Sequence, residues 1–348
     1  MTSDLPLLLR AKDFEPLWAD PRYMVGAIDA QERAMVAIWE GNVRQATMTD
    51  PARPAEPPGD RQRSDRWANP AQAQEIQRRE NFLRAGFIGS KGMAHGLSIG
   101  GGSGPNSSFQ MLMEETTNQL VAIVDSDYLG AVRVGAEGGL GAKYLKPDAK
   151  VLAVLGSGYQ ARTALPAMLC GVPGIERIKV YSPTRENRER FCREMSDWLG
   201  REIAPVASVA EAIEDADIVD QVHSAREPIF EMSAVKPGAV IMSVTGRGQI
   251  PPEIISTARM VTPSWDVMAG NVLREPYYSA MKAGSYTKED YGGEFGEIIA
   301  KGLNPRREPS EIIDFHVLAV PLLNHAIADW AYRWAREAGA GTPFSISE

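Results

Sequence analysis

The residues that most clearly indicate a chemistry are glycines placed directly after an apolar run. Val151–Leu155 is apolar throughout, as expected of a strand buried on both faces, and Gly156-Ser157-Gly158-Tyr159-Gln160-Ala161 follows it at once. The glycines permit a tight turn and let backbone N–H groups approach a pyrophosphate at the N-terminus of the next helix. A second strand candidate follows at Arg177–Tyr181. The motif therefore predicts that all six residues bind a dinucleotide.

The end of the second strand candidate indicates which dinucleotide is bound. An acidic residue there would accept a hydrogen bond from the ribose 2′-hydroxyl of NAD(H) and would repel the 2′-phosphate of NADP(H). The chain instead has Ser182, Thr184 and Arg185 at this place, and an arginine suits a phosphate through paired, charge-assisted hydrogen bonds. We predict that these three residues bind the cofactor and that NADP(H) is preferred. NAD(H) is the alternative if Arg185 only decorates the following helix.

The side chains that could transfer a proton include two histidines. The four histidines, His95, His223, His316 and His325, show no HExxH or other compact spacing, and the chain has only two cysteines. We therefore predict no metal site and no disulfide framework. His223 follows a strand candidate and His316 precedes the last predicted helix, which makes both of them candidate proton donors.

The elements that must position these residues form a βα repeat. Strand candidates lie at residues 151–155, 177–181, 218–222, 239–244 and 260–262. Helical segments separate the earlier ones, as in a parallel sheet. We predict an α/β protein with a Rossmann, doubly wound parallel sheet in residues 132–316. Residues 1–131 and 317–348 are predicted to form a smaller, discontinuous α+β domain.

The smaller domain is predicted from weaker patterns. Residues 5–40 have the spacing of an amphipathic helix, and Phe109–Met113 with Gln119–Val124 predict two strands of a small antiparallel or mixed sheet. A small-residue helix is predicted at Val134–Leu145, after Arg133. A strongly apolar helix is predicted at Val317–Ala335. Because this helix lies well past the final strand candidate, we expect it to return to the first domain.

The overall composition excludes other classes of function. The 348-residue chain has a formal net charge of −8 and no extended basic block, which argues against a nucleic-acid partner. No apolar run reaches the length of a membrane span and the N-terminus lacks a signal-peptide pattern, so we expect a cytoplasmic protein with no membrane partner. Residues 49–69, rich in Pro, Arg and Asp, predict a solvated loop or a lid.

The order of these features resembles the ornithine cyclodeaminase and μ-crystallin family. The sequences Ala131-Val132-Arg133-Val134-Gly135-Ala136 and Ala142-Lys143-Tyr144-Leu145 are similar to the family's Arg-Thr-Gly-Ala and Ala-Lys-Tyr-Leu pattern. The glycine turn and Lys236-Pro237-Gly238 extend the likeness. This combination is not a general feature of Rossmann proteins. The resemblance implies a homodimer whose smaller domain dimerises and binds a small-molecule substrate with a carboxylate.

The resemblance also implies which residues hold that carboxylate. By position, Arg133 matches the family's carboxylate-binding arginine and Lys91 its substrate-contacting lysine, while Arg44 matches a second arginine. A carboxylate loses water on entering a cleft, and a bidentate Arg with a neighbouring Lys restores its hydrogen bonds and charge balance. The resemblance therefore implies that Lys91 binds the substrate, and it makes Lys91 a third candidate proton donor.

The chain departs from the family's cyclodeaminases in one turn. Those enzymes place an Asp after the strand candidate at residues 239–244, whereas this chain reads Ser243-Val244-Thr245-Gly246-Arg247. We predict that Val244 contacts the cofactor. Arg247 could bind a second substrate acid group, the cofactor phosphates or the nicotinamide carboxamide, and the sequence does not separate these.

The missing carboxylate favours one reaction class. We expect an NADP(H)-dependent imine reductase or amino-acid dehydrogenase acting on a small α-imino, α-keto or amino acid. The alternatives are a cyclodeaminase that recycles NAD(P) internally and a non-catalytic, μ-crystallin-like binding protein. Net consumption of NADPH separates the first from the others.

Overall fold

The chain alternates short strands and helices, and most of its described residues lie beyond residue 108. The computed structural model describes residues 5–41, 109–114, 117, 119–244, 248–271, 273–318 and 320–346, with the backbone of two further strands at 82–86 and 95–100. Contacts divide the chain into two units, one formed by Met1–Arg133 with Ala319–Glu348 and the other by Val134–Leu318. Within the described residues no helix is both long and apolar enough to cross a membrane.

The bounds of the elements are as follows. The strands are β1 Leu7–Leu9, β2 Phe82–Gly86, β3 His95–Gly100, β4 Phe109–Met113, β5 Leu120–Asp125, β6 Val151–Leu155, β7 Arg177–Tyr181, β8 Ala204–Pro205, β9 Ile218–Gln221, β10 Val240–Ser243, β11 Ala258–Thr262, β12 Gly293–Glu294, β13 Ile312–His316 and β14 Thr342–Pro343. The α-helices are α1 Glu15–Trp18, α2 Tyr23–Trp39, α3 Asp127–Leu145, α4 Ala161–Gly171, α5 Arg185–Leu199, α6 Val209–Ile213, α7 Ile254–Thr257, α8 Trp265–Ala269, α9 Tyr277–Ala283, α10 Phe295–Lys301 and α11 Pro321–Ala338.

The second unit is built on a parallel sheet. Its order among the described strands is β12-β11-β13-β10-β9-β6-β7-β8, and every neighbouring pair is parallel. After β6 the chain adds β7 and β8 on one side and then returns to the other side with β9. The strand order therefore reverses between β6 and β9, and at such a switch point the carboxyl ends of the strands leave a crevice for a ligand. The predicted doubly wound sheet is confirmed.

Small residues allow α3 and α4 to pack closely within this unit. A Cβ added at Gly135 would lie 2.5 Å from the carbonyl oxygen of Thr163, so only a glycine fits there without a shift. The helix was predicted to begin at Val134, but it begins seven residues earlier, at Asp127. The Asp127 N–H donates to a side-chain oxygen of Asp125 at 3.0 Å, which satisfies one backbone donor at the first turn.

The first unit contains a mixed sheet, as predicted. Its order is β14-β1-β5-β4-β3-β2 among the described strands. β1 runs parallel to β5 and antiparallel to β14, while β2 to β5 form an antiparallel series. The predicted helix in residues 5–40 is present as α2, but residues 7–9 were wrongly included in that pattern, because their pairing with β5 and β14 makes them a strand.

The last helix packs on α2 within the first unit. A Cβ added at Gly26 of α2 would lie 2.5 Å from Nε1 of Trp330, and Gln31 Nε2 donates to the carbonyl oxygen of Leu323 at 2.8 Å. The helix begins at Pro321, whose missing N–H costs nothing in a first turn. These contacts place α11 against an element near the start of the chain.

Candidate active site

Gly156 begins the turn that follows β6, and its backbone requires glycine. Its φ is +131°, and an added Cβ would lie 2.7 Å from the carbonyl oxygen of Val222. Its N–H donates to the carbonyl oxygen of Tyr181 at 2.8 Å. The glycine turn is therefore tied to the end of β7 and presses against the chain that leaves β9, directly at the switch point of the sheet.

The rest of the turn leaves space in front of the N-terminus of α4. Apart from its two chain neighbours, no described residue has a heavy atom within 4 Å of the position that a Cβ at Gly158 would take. Gln160 is the N-cap of α4, and its side chain makes no capping hydrogen bond. Open space before an uncapped helix N-terminus suits a pyrophosphate.

The residues on either side of Gly158 complete this site, and we call residues 156–161 the phosphate cradle. Ser157 is partly exposed and Tyr159 is exposed, whereas Ala161 is fully buried and packs the first turn of α4 into the unit. The predicted residues Gly156 to Ala161 thus form the turn after β6 and the start of α4, and this geometry fits a dinucleotide.

The turn after β7 has arginines and hydroxyls but no carboxylate between its residues 182 and 184. Ser182 is buried, and Thr184 is the N-cap of α5 without a side-chain capping bond. Arg185 is exposed, and its Nε donates to Glu189 Oε1 at 2.7 Å. This hydrogen bond lowers the pKa of Glu189.

The sequence analysis missed a second arginine at this turn. Arg188 is buried, donates through Nη1 to the carbonyl oxygen of Ser182, and lies over the ring of Tyr181 at 5.8 Å. A signal was present, because Arg188 follows Arg185 by three residues and so lies on the same side of the helix. The turn therefore combines one exposed and one buried guanidinium.

His223 directly follows β9 on the far side of the glycine turn. Its Nδ1 accepts the N–H of Ala225 at 3.3 Å, which leaves the proton of the neutral ring on Nε2. Nε2 is buried and has no hydrogen-bond partner among the described residues. Burial lowers the pKa of His223 to about 4, so the ring is neutral near pH 7 and can donate a hydrogen bond more readily than a proton.

His316 lies at the end of β13 inside a fully buried polar network. Its Nε2 donates to Asp314 Oδ2 at 2.8 Å, and Ser243 Oγ donates to Asp314 Oδ1 at 2.6 Å. Gln221 Nε2 lies 3.4 Å from Ser243 Oγ. The network joins the ends of β9, β10 and β13, and burial lowers the pKa of His316.

This setting does not fit the prediction that His316 donates a proton to a substrate. The ring is 0% exposed, its Nε2–H is held by Asp314, and its Nδ1 lies 3.4 Å from Nη1 of Arg274. With both nitrogens engaged, His316 serves to fix the strand ends. The sequence showed the histidine but not these partners, because they come from separate elements.

Arg274 is a further residue that the sequence analysis missed. It is 7% exposed and binds the carbonyl oxygens that end β10 and β13, including that of Val244 at 3.3 Å. Arg274 thus holds the carbonyl group of Val244, the predicted cofactor contact. No sequence signal marks Arg274, because it lies in an irregular stretch between two short helices.

Asp220 is a buried acid on β9 that the sequence did not single out. Its side chain is 0% exposed, and neither oxygen has a hydrogen-bond partner among the described residues. Burial raises the pKa of Asp220 to about 7. The carboxyl group is therefore protonated over much of the range in which an ordinary aspartate is ionised.

The predicted substrate residues are only partly covered by the structure. Arg133 lies within α3 and is 7% exposed. Lys91, Arg44 and Arg247 lie outside the described residues. In the ranges that are described, no group of three or more His, Cys, Asp or Glu side chains could hold a metal ion.

Comparisons with known proteins extend the picture. The model of the ornithine cyclodeaminase/mu-crystallin family matches residues 102–338. The chain is 27% identical over 239 residues to a Δ1-pyrroline-2-carboxylate reductase from Bacillus cereus, which covers 66% of this chain and 72% of that protein. It is also 31% identical over 204 residues to the ketimine reductase mu-crystallin of Mus musculus, with 58% of each chain covered.

A solved structure shows the likeness over almost the whole chain. It is Thermococcus litoralis Δ1-pyrroline-2-carboxylate reductase in complex with NADH and L-proline, which is 26% identical with a TM-score of 0.77. The match covers 97% of this chain and 100% of that one.

Proposed function

The chain belongs to the ornithine cyclodeaminase/mu-crystallin family, and on that basis we propose that it reduces the C=N bond of a small α-imino acid with a reduced nicotinamide cofactor. The observation that carries the proposal is the open cradle at Gly158 before the uncapped N-terminus of α4. The similarity of the chain to named pyrroline-2-carboxylate and ketimine reductases supports the reaction class. In reverse, the same chemistry is the oxidation of an amino acid.

NADP(H) is the cofactor that we propose. The turn after β7 is followed by the exposed Arg185 and by the buried Arg188, which donates to the carbonyl oxygen of Ser182. The ion pair between Arg185 and Glu189 is exposed, and such pairs contribute little, so a 2′-phosphate can take over the guanidinium at small cost. NAD(H) remains the alternative, since the Thermococcus litoralis relative is described with NADH.

The chain's own residues have distinct proposed tasks. When bound, the reduced nicotinamide supplies the hydride that adds to the imine carbon. Arg133 pairs with the substrate carboxylate, and Lys91, which the resemblance identifies as a substrate-contacting residue, pairs with it as well. Because His316 is sequestered and His223 is neutral, Lys91 is the remaining candidate to protonate the imine nitrogen. His223 instead donates a hydrogen bond from Nε2 to the cofactor.

Two further predicted residues are proposed to bind the substrate or the cofactor. Arg44 is proposed as a second cation near the substrate. Arg247, three residues after Val244, would bind either a second substrate acid group or the cofactor. Holding the carboxylate and the ring in fixed geometry supplies most of the rate enhancement in such a reaction.

A stoichiometry assay tests the reaction. Purified protein is given NADPH with Δ1-pyrroline-2-carboxylate in one arm and L-ornithine with NAD⁺ or NADP⁺ in the other. We expect one NADPH oxidised per imine reduced. Conversion of ornithine without net change in cofactor would instead identify a cyclodeaminase, and cofactor binding without turnover on a panel of imino and keto acids would identify a binding protein.

Two matched glycine variants serve as controls. Gly158→Ala and Gly130→Ala each place a methyl group more than 4 Å from every described heavy atom outside the adjacent residues and, for Gly130, its own helix backbone. Both variants should therefore fold. Only the first methyl group enters the proposed phosphate cradle. Displacing one hydrogen bond to a charged phosphate costs about 1.5 to 3 kcal/mol, so Gly158→Ala should weaken NADPH binding by about tenfold or more. Equal affinity in both variants would place the cofactor elsewhere.

A further inference from the structure

Arg274 binds the carboxyl ends of two neighbouring strands through their main chain. Its Nη1 donates to the carbonyl oxygen of Ser243 at 3.1 Å, at the end of β10. Its Nη2 donates to the carbonyl oxygens of Val244 at 3.3 Å and Val317 at 2.6 Å. Val317 in turn donates its N–H to the carbonyl oxygen of Ser243 at 3.2 Å. One planar guanidinium therefore fixes both strand ends.

The same guanidinium completes the buried side-chain network. Its Nη1 lies 3.4 Å from Nδ1 of His316, whose Nε2 donates to Asp314, which accepts from the hydroxyl of Ser243. The ring of Tyr277 stands edge-on to His316 with centroids 5.1 Å apart. Main-chain and side-chain hydrogen bonds thus form a closed network between the ends of β10 and β13. Every side chain in this network is 7% exposed or less.

This region lies on the side of the sheet where the proposed cofactor binds. The chain leaves β10 through Val244, and beyond it Gln249 Nε2 donates to the carbonyl oxygens of His223, at 3.1 Å, and Ala225. The segment after β10 is therefore tied to Arg274 at its start and to the loop after β9 at its end. Both ties lie at the carboxyl edge of the sheet, next to the switch point.

We propose that Arg274 is a positioning residue for hydride transfer. Arg274 itself touches neither substrate nor cofactor. It holds the carbonyl group of Val244, the residue that we predicted to contact the cofactor and that would support the nicotinamide ring; this inference rests on the proposed function. Guanidinium geometry is needed because a planar fork of five donors can reach several carbonyl oxygens at once, whereas an ammonium is a point charge on a flexible stem. A displacement of about 1 Å at a reacting group can cost about a hundredfold in rate.

Arg306 provides a matched control at the opposite edge of the sheet. Its guanidinium also donates to three carbonyl oxygens, those of Glu311 at 3.1 Å, Leu145 at 2.7 Å and Gly238 at 3.2 Å. Glu311 immediately precedes β13, and Gly238 lies two residues before β10. The two arginines therefore hold the two ends of the same strand pair, and only Arg274 is at the cofactor end.

The test compares Arg274→Lys with Arg306→Lys. For both variants we would measure stability as the urea unfolding midpoint and NADPH affinity from nicotinamide fluorescence. Activity would be measured as kcat and KM with Δ1-pyrroline-2-carboxylate, together with the isotope effect with 4-deuterated NADPH. Hydrogen exchange of the free protein would show where the main chain is affected. We expect Arg274→Lys to lower kcat by about ten- to a hundredfold with NADPH affinity changed by no more than about threefold. Its isotope effect should rise, because hydride transfer becomes slower relative to the other steps. Arg306→Lys should lose similar stability while kcat stays within about twofold.

Hydrogen exchange and fluorescence locate the effect without turnover. Exchange should increase at residues 240–244 and 312–318 in Arg274→Lys, and at residues 146–150 and 236–240 in Arg306→Lys. Emission of bound NADPH should change only in Arg274→Lys, because only there does the ring lose its support.

Three outcomes would overturn the proposal. They are an unchanged kcat in Arg274→Lys despite faster exchange at 240–244, an equal loss of kcat in both variants, and unchanged NADPH emission in Arg274→Lys. If the wild type binds NADPH but reduces no imine, the proposed function fails instead, and the emission comparison still decides whether Arg274 positions the ring.

Discussion

The buried carboxyl group of Asp220, which has no hydrogen-bond partner among the described residues, makes the free energy of unfolding depend on pH in a predictable direction. Burial raises its pKa from the usual 3.8 to about 7. One pKa unit corresponds to about 1.4 kcal/mol, so the rise amounts to about 4 kcal/mol. Because the pKa in the folded state is above that in the unfolded state, the free energy of unfolding decreases as pH rises from about 4 to about 7, and the loss is complete above that range.

Asp220→Asn removes this titration while keeping the size of the side chain. At a pH of about 4 both proteins carry a neutral group here, so we expect similar free energies of unfolding. At a pH of about 8 the variant should be more stable, by an upper limit of about 4 kcal/mol. Urea unfolding at a series of pH values measures this directly, provided that the m-value stays constant between the two proteins.

Asp217 supplies a control of opposite sign, three residues away. Burial acts to raise its pKa, but hydrogen bonds from Lys236 and from the N–H groups of Lys150 and Val151 outweigh it and lower the pKa. Its contribution is present above the unfolded pKa and lost as pH falls, so Asp217→Asn should be destabilised at neutral pH. If Asp220→Asn keeps the pH slope of the wild type between about 4 and 7, Asp220 is not the group that titrates there, and the reasoning is wrong.

Four further outcomes are expected. Arg185→Ala should weaken NADPH binding and leave NADH binding nearly unchanged in fluorescence titrations; an equal loss for both cofactors would contradict the 2′-phosphate assignment. Arg133→Met should lower kcat/KM by about thirtyfold or more, with normal NADPH affinity, because it leaves a desolvated carboxylate unpaired; cofactor affinity falling in step with activity would move Arg133 to the pyrophosphate site. Gly135→Ala should destabilise the protein by about 1–3 kcal/mol in urea, since the methyl group meets the Thr163 carbonyl, and Gly130→Ala should not. Sedimentation should show a homodimer, and a monomer at micromolar concentration would refute that proposal.

The sequence predicted the larger sheet well where its strands are apolar runs. β6 and β10 read as continuous buried segments, and the glycine turn marks the point where β6 ends. β13 was missed, because Asp314 and His316 interrupt its apolar pattern. Their burial is made possible by Ser243 and Arg274, which are distant in sequence, so no local pattern could reveal the strand.

In the candidate site, too, the sequence predicted features that are local in the chain and missed those that depend on contacts between distant residues. The motif residues from Gly156 to Ala161 are consecutive in the sequence, and they form the turn after β6 and the first residue of α4, as the motif predicted. The settings of His223, His316 and Arg188 depend on contacts between separate elements, so the sequence could name the histidines but not their protonation or exposure. β1 shows the limit for short elements, since three leucines become a strand only by pairing with β5 and β14.

The place of β13 in the sheet has a consequence for how the protein is made. β13 lies between β10 and β11, although it is synthesised about fifty residues after β11. Until the ribosome has released residues 312–316, β10 is an open sheet edge, and β11 can pair with β12 but is not joined to the rest of the sheet. Open edges invite pairing with other chains. Nascent or truncated chains that stop before Ile312 should therefore aggregate, and completion of the buried polar network coincides with the moment at which the sheet closes.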